Sequence, residues 1–286
     1  MFFLVGLATV FACVLGGYMA LGGKLMVLWQ PFELVIIGGA ALGAFIIANP
    51  RPVLKRVAGS LGYIMKGSRY SKESYLELLS LLYSVFKLSK SKGMVALEQH
   101  VENPTESKLF QQFPNFTKDK HALVFLCDYL RLLTMGTENP HEVETLMDEE
   151  IETHHHEHEQ VVGAVQNIAD GLPALGIVAA VLGVIKTMGS ITEPPEVLGK
   201  LIGGALVGTF LGVLLAYGMV GPMGNALKAT FDAEGKYLQC IKAGLLAHLQ
   251  GYAPAIAVEF ARKALLSDVR PTFYEVEEAT GKVVLV

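Results

Sequence analysis

Charge is what this sequence has least of. Aspartate, glutamate, lysine and arginine make up 17% of its 286 residues, where a soluble domain carries about 25%. The deficit is concentrated in a few stretches. With 52% hydrophobic residues and a mean hydropathy of +0.43, the chain reads as a membrane protein with a water-soluble part. A net charge of −4 gives no basic surface for a polyanion, so no nucleic-acid partner is expected. Cysteine is scarce too. Cys13, Cys127 and Cys240 are odd in number, far apart and free of any CxxC, which speaks against a disulfide framework and a zinc knuckle. Cys13 is expected in a membrane helix and Cys240 in or near one. The apolar run from Met1 to Leu21 has no basic stretch before it and no small-x-small cleavage site. It reads as a retained span rather than a signal peptide.

What is present is four apolar segments. About 20 apolar residues cross a hydrocarbon core of roughly 30 Å, and Phe2–Leu21, Pro31–Ala48, Ile168–Met188 and Leu201–Gly221 meet or approach that length. Short links, Gly22–Gln30 and Gly189–Lys200, join them in pairs. A polar insert, Pro50–Gly163, and a polar tail, Pro222–Val286, make up the rest. Of 23 Lys and Arg residues, 13 fall in the insert and 7 in the tail, and Arg51, Lys55 and Arg56 closely follow the second span. The positive-inside bias therefore places insert, tail and both termini in the cytoplasm. The expected fold class is an all-α membrane protein with four transmembrane helices, a large helical cytoplasmic insert and a helical C-terminal tail. Its regions are spans one and two (1–49), the cytoplasmic helical domain (50–163), spans three and four (164–222) and the cytoplasmic tail (223–286).

Helical period in the insert is clear in Tyr75–Gly93, with Leu78, Leu79, Leu82, Val85 and Phe86 on one side, and again in His121–Gly136. A further helix starts at Asn139-Pro140, is acidic from Glu142 to Glu159, and meets no breaker before Gly163. It is expected to run into the third span as one rod. The tail shows helical pattern from Phe231 to Tyr252, then from Pro254 to Leu266. Strand signals are sparse.

Ionisable side chains are nearly missing from the spans. Membrane-buried acids usually mark proton relays, and only Glu33 and Asp170 come close, each toward a span end. Glu33 is expected at the outer interface. A self-contained proton pump would carry a central carboxylate, and none is found. The polar side chains inside the fourth span are Thr209 and Tyr217. A membrane threonine commonly bonds its own helix backbone; the alternative is a hydroxyl facing water or an ion path. Gly204, Gly208 and Gly212, with Gly39 and Gly43, have the small-xxx-small spacing that lets membrane helices approach closely. Pro173 and Pro222 sit near the cytoplasmic span ends, where each removes a backbone hydrogen bond and marks a kink or a hinge. The string THHHEHEQ formally matches HxxEH through His154, Glu157 and His158, but its Glu-rich setting reads as a solvated helix face, and no metal site is expected from it. Lys90, Lys92 and Glu98 flank Gly93 as an exposed charged helix end.

The fourth span then reads as a pattern: Ala205-Leu206-Val207-Gly208-Thr209-Phe210-Leu211-Gly212-Val213-Leu214, seven residues, Pro222. This resembles the MotA family of flagellar motor stator proteins. LPALGIVAAVLGV in the third span, MDEEIETH before it, LLAYGMVGP in the fourth and GYAPAIAVEFARKALLSDVRP in the tail resemble it as well, so the likeness covers nearly the whole chain. ExbB- and TolQ-like energisers of outer-membrane processes are the alternative within the wider group, though they usually have three spans and lack this tail. The resemblance implies a homo-oligomeric ring of five subunits around two copies of MotB in the bacterial inner membrane. In that family the proton-binding aspartate is on MotB. Thr209, with Tyr217 nearby, would face the ion path, Pro173 and Pro222 would couple membrane to cytoplasm, and Lys90 and Glu98 would meet the rotor's switch-complex protein. Lys90 stands where many relatives have arginine. Sodium-driven relatives place a threonine seven residues after the third-span proline; here that position is Ala180, whose methyl offers no oxygen to Na⁺, so H⁺ is the transported ion expected. No cofactor and no covalent chemistry are expected.

Overall fold

The computed structural model describes residues 2–66, 69–137 and 139–284; the last two residues assigned to the tail, 285 and 286, lie outside them. Among the described residues every regular element is helical. The α-helices in chain order are α1 (Phe2–Ala20), α2 (Leu25–Leu28), α3 (Pro31–Ala48), α4 (Arg51–Lys66), α5 (Lys72–Lys92), α6 (Val95–Glu102), α7 (Pro114–Lys118), α8 (Lys120–Thr134), α9 (Pro140–Met188), α10 (Pro195–Leu215), α11 (Gly221–Leu249), α12 (Pro254–Lys263) and α13 (Phe273–Gly281). Four helical stretches are long and apolar enough to cross a membrane: Phe2–Ala20, Leu25–Ala48, Pro140–Met188 and Pro195–Leu249. The chain is a multi-pass membrane protein of the all-α class.

Two compact units divide the chain. The first comprises Met1–Gly67 and Glu157–Thr230, the second Ser68–His156 and Phe231–Val286. The boundaries drawn from hydropathy at 49, 163 and 222 follow span ends, whereas packing groups α4 with the spans.

In the first unit, α10 packs on α2 and α3, and α1 packs on α4. A small core joins Ile37 and Ala41 to Leu172, Ala179 and Ala216. Helix α1 buries none of its residues. A helix that is apolar all round and uncovered belongs in hydrocarbon or against other chains. The helix of the fourth span runs on beyond the span itself. Instead of stopping at Gly221, the chain widens into a π turn over Ala216–Val220 and continues as α11 to Leu249. Pro222 is the reason. It has no amide hydrogen for the Gly218 carbonyl, and the Gly221 amide reaches back to Ala216 O, a five-residue closure that lets the helix pass the proline. Pro222 then occupies the second position of α11, where a missing donor costs little.

The second unit has a conventional apolar core. Leu78, Leu79, Leu82, Val85 and Phe86 of α5 are fully buried, and α6, α7, α12 and α13 pack around that helix. Ser71 caps the start of α5, its hydroxyl accepting from the Ser74 amide, and Gly93 ends it with φ +84, a conformation open to glycine and costly for other residues. Cys240 lies in this core, on the continuation of the fourth-span helix. It is fully buried, its thiol donates to Ala261 O at 3.3 Å, and burial pushes its pKa well up. Helix α9 is continuous from Pro140 to Met188, as the lack of a breaker implied.

Candidate functional site

The third and fourth spans meet through glycine. A Cβ on Gly176 would stand 2.7 Å from Gly208 O and 3.0 Å from the Gly212 Cα, and one on Gly212 would stand 2.6 Å from Leu172 O. Both are closer than a side-chain carbon tolerates, so α9 and α10 cross backbone to backbone. Such contact draws on dispersion and Cα–H···O attraction where the hydrophobic effect gives none. Of the small residues noted in the sequence, Gly208 and Gly212 form this crossing, while a Cβ on Gly39 or Gly43 would meet nothing within 4 Å.

One step along the crossing, Ala180 and Gly208 are neighbours: a Cβ on Gly208 would lie 3.0 Å from the Ala180 amide nitrogen. Ala180 is half-buried. Thr209 follows Gly208 directly and is half-buried too. Thr187 and Thr230 donate their hydroxyls to helix carbonyls four residues back, each at 2.9 Å. Among the described residues, the Thr209 hydroxyl has no such bond and stays available. Tyr217 lies in the π turn and is 69% exposed.

Glu33, expected at the outer interface, packs its side chain against its own chain. Its carboxylate is drawn inward to the α9–α10 crossing. Oε2 stands 2.6 Å from where a Gly208 Cβ would be, and Oε1 3.5 Å from where a Gly183 Cβ would be. Oε2 is buried without a hydrogen-bond partner. Glu33 is the third residue of α3, and α3 packs on α10, so the missing side chains at 183 and 208 make room for it. The sequence held both halves of this relationship but no sign that they meet.

Pro173 lies inside α9 without ending it and leaves the Ala169 carbonyl without its usual helical donor. Pro222 stands just beyond the π turn. Both prolines thus coincide with a weakened helix ladder.

In the second unit, Lys90 and Glu98 are exposed on either side of the Gly93 turn. The Lys90 ammonium donates to Gly251 O at 3.4 Å, and Glu98 occupies the first turn of α6. Among the described residues no ion pair joins them, so both charges remain open to a partner. Beneath Lys90, His248 stacks on Phe86 at 4.6 Å and its Nε2 lies 3.1 Å from Ser89 Oγ. Burial first, then the Lys90 charge, push the imidazole pKa below its ordinary value.

Glu157 is engaged by Arg56 in an ion pair, and the His154 ring stacks on His121.

Comparisons with known proteins agree with this architecture. Residues 4–93 match the family model described as motility protein A N-terminal, and residues 118–239 match that of the MotA/TolQ/ExbB proton channel family. Motility protein A of Salmonella typhimurium is 47% identical over 278 residues, covering 97% of this chain and 94% of its own. The solved flagellar MotAB stator complex of Bacillus subtilis contains a chain that superposes with a TM-score of 0.74 at 25% identity, over 92% of this chain and 94% of that one. The C. jejuni MotAB structure superposes with a TM-score of 0.78 at 19% identity, over 93% and 96%. A glycine-built crossing of two membrane helices, four apolar spans and these two family matches lead to one conclusion: the chain belongs to the motility protein A family, a branch of the MotA/TolQ/ExbB proton channels.

Proposed function

We propose that this chain is the stator subunit of a proton-driven flagellar motor and assembles with a MotB-type partner, five copies around two as the family resemblance implies. It resides in the bacterial inner membrane with both termini, the insert and the tail in the cytoplasm. Protons pass from outside to an aspartate on the partner's helix. The α9–α10 crossing supplies the wall beside that aspartate, with Thr209 offering a hydroxyl, Ala180 withholding an oxygen from sodium, and Tyr217 near the inner end. Neutralising the partner's acid changes which ring conformation is favoured. Pro173 and Pro222 transmit that change, and Lys90 and Glu98 press on charged groups of the rotor's switch-complex protein. One elementary charge falling through 100 mV releases about 2.3 kcal/mol, which is ample for stepwise rotation.

The observation that carries this reading is the crossing itself. Two spans packed backbone to backbone form a rigid, nearly uncharged wall with an unbonded hydroxyl beside it, and that surface suits a partner that brings its own carboxylate. The deciding experiment is co-expression with a MotB-type protein followed by native mass measurement. A 5:2 complex supports the proposal. Capture of a TonB- or TolA-type partner with no MotB binding overturns it. Swimming speed should follow the pH gradient, collapse with a protonophore and ignore external Na⁺.

A further inference from the structure

Three helices of the second unit bring nitrogen and oxygen ligands to one place. His121 is the second residue of α8, His154 lies on α9 and Glu234 on α11. Their ligand atoms all fall within 4.8 Å of one another. His121 Nδ1 stands 3.3 Å from Glu234 Oε1, and the two imidazoles stack with centroids 4.0 Å apart. All three residues are half-buried, so they are held by packing yet reached by a hydrated ion.

We propose that His121, His154 and Glu234 form a binding site for a divalent transition-metal ion of the zinc type. Zinc takes imidazole nitrogen at about 2.0–2.1 Å and carboxylate oxygen at about 2.0–2.2 Å in a tetrahedron, so neighbouring ligand atoms lie roughly 3.3 Å apart. The His121–Glu234 separation already has that value. Two imidazoles and a carboxylate are borderline ligands that select zinc, cobalt, nickel or copper over magnesium or calcium, which prefer all-oxygen shells. The surroundings favour a cation as well. Asp119 and Glu150 add negative potential at His121, and the Tyr70 hydroxyl donates to Asp119 Oδ2 at 2.7 Å, holding that carboxylate in place. Three protein ligands leave a fourth position for water. The bound ion would tie α8, α9 and α11 together within this unit. The site is separate from the HxxEH string: it uses His154 of that run but takes its other ligands from distant parts of the chain.

The test uses the full-length chain purified in detergent. Three forms are titrated with Zn²⁺ and, for its ligand-field spectrum, Co²⁺: the unaltered chain, a chain carrying both His121→Ala and Glu234→Gln, and a control with His155, His156 and His158 all changed to alanine. The unaltered and control chains should each bind one ion per chain, show a tetrahedral Co²⁺ spectrum and melt at higher temperature with Zn²⁺ present. The His121→Ala/Glu234→Gln chain should bind at least about tenfold more weakly, and Zn²⁺ should leave its melting temperature unchanged. Glu234→Gln alone keeps the shape of the side chain and covers the case in which the double variant does not fold. The proposal is overturned if the unaltered chain binds no ion, which leaves only a histidine–glutamate hydrogen bond. It is equally overturned if binding survives the double variant and disappears in the histidine-run control.

Discussion

Gly176 and Gly212 face each other across the third and fourth spans so closely that a Cβ on Gly212 would lie 2.8 Å from the Gly176 Cα. The crossing has no room for a methyl group. Gly176→Ala or Gly212→Ala should therefore push α9 and α10 apart and cost about 1–3 kcal/mol, seen as a lower melting temperature by circular dichroism in detergent and as lost motility. Gly39→Ala, at a position with open space, should leave the melting temperature of the isolated chain unchanged.

Glu33 places a carboxylate oxygen without a partner beside that crossing. Glu33→Gln keeps the volume and removes the charge. It is expected to slow swimming severalfold while the complex with the partner still assembles. Thr209→Val, which removes the hydroxyl but keeps the branched shape, should do the same. Full speed in the Thr209 variant would remove that hydroxyl from the ion path, and full speed in the Glu33 variant would show that its charge plays no part in rotation.

The two prolines sit where the helix ladder is already interrupted. Pro173→Ala restores a donor for the Ala169 carbonyl, and Pro222→Ala restores one for Gly218. Both should stiffen the helices and abolish torque without preventing assembly. Co-purification with the partner, measured beside tethered-cell rotation, separates coupling from folding. A variant that cannot assemble would show that its proline serves structure alone.

Lys90 and Glu98 expose opposite charges near one turn. Reversing both, Lys90→Glu with Glu98→Lys, should impair rotation, and reversing the facing charges on the rotor protein should restore part of it. A lysine contributes a point charge rather than a fork, so the contact should weaken as ionic strength rises.

Acid stability should depend on Glu275. Its carboxyl is held down to about 2, from an ordinary value of 4.5, first by the Lys72 ammonium and then by the amide and hydroxyl of Thr272. A depressed folded-state value means the contribution is fully present above pH 4.5 and is lost as pH falls toward 2. Glu275→Gln should melt lower than the unaltered chain at pH 7, with the gap closing as pH approaches 2. A gap that stays constant across that range would show the ion pair contributes nothing.

The sequence by itself determined the number of spans, the helical class, the continuous rod of α9 and the family. Each depends on local quantities: apolar length, helical period, the placement of glycine and proline, and a motif read within one segment. Thr209, Ala180, Pro173 and Pro222 could be singled out for the same reason, since the pattern that marks them lies within its own helix. The tertiary structure decided what depends on distance between segments. That the Glu33 carboxylate meets the third and fourth spans is decided by α3 packing on α10, where the bare backbone at Gly183 and Gly208 admits it. Pro222 looked like the end of a span, but a π turn that no periodicity signals carries the helix past it to Leu249. His121, His154 and Glu234 are separated by 33 and 80 positions in the sequence, and only the packing of three helices makes them neighbours. Spacing along a chain reports which residues share a helix face; it is silent on which faces meet.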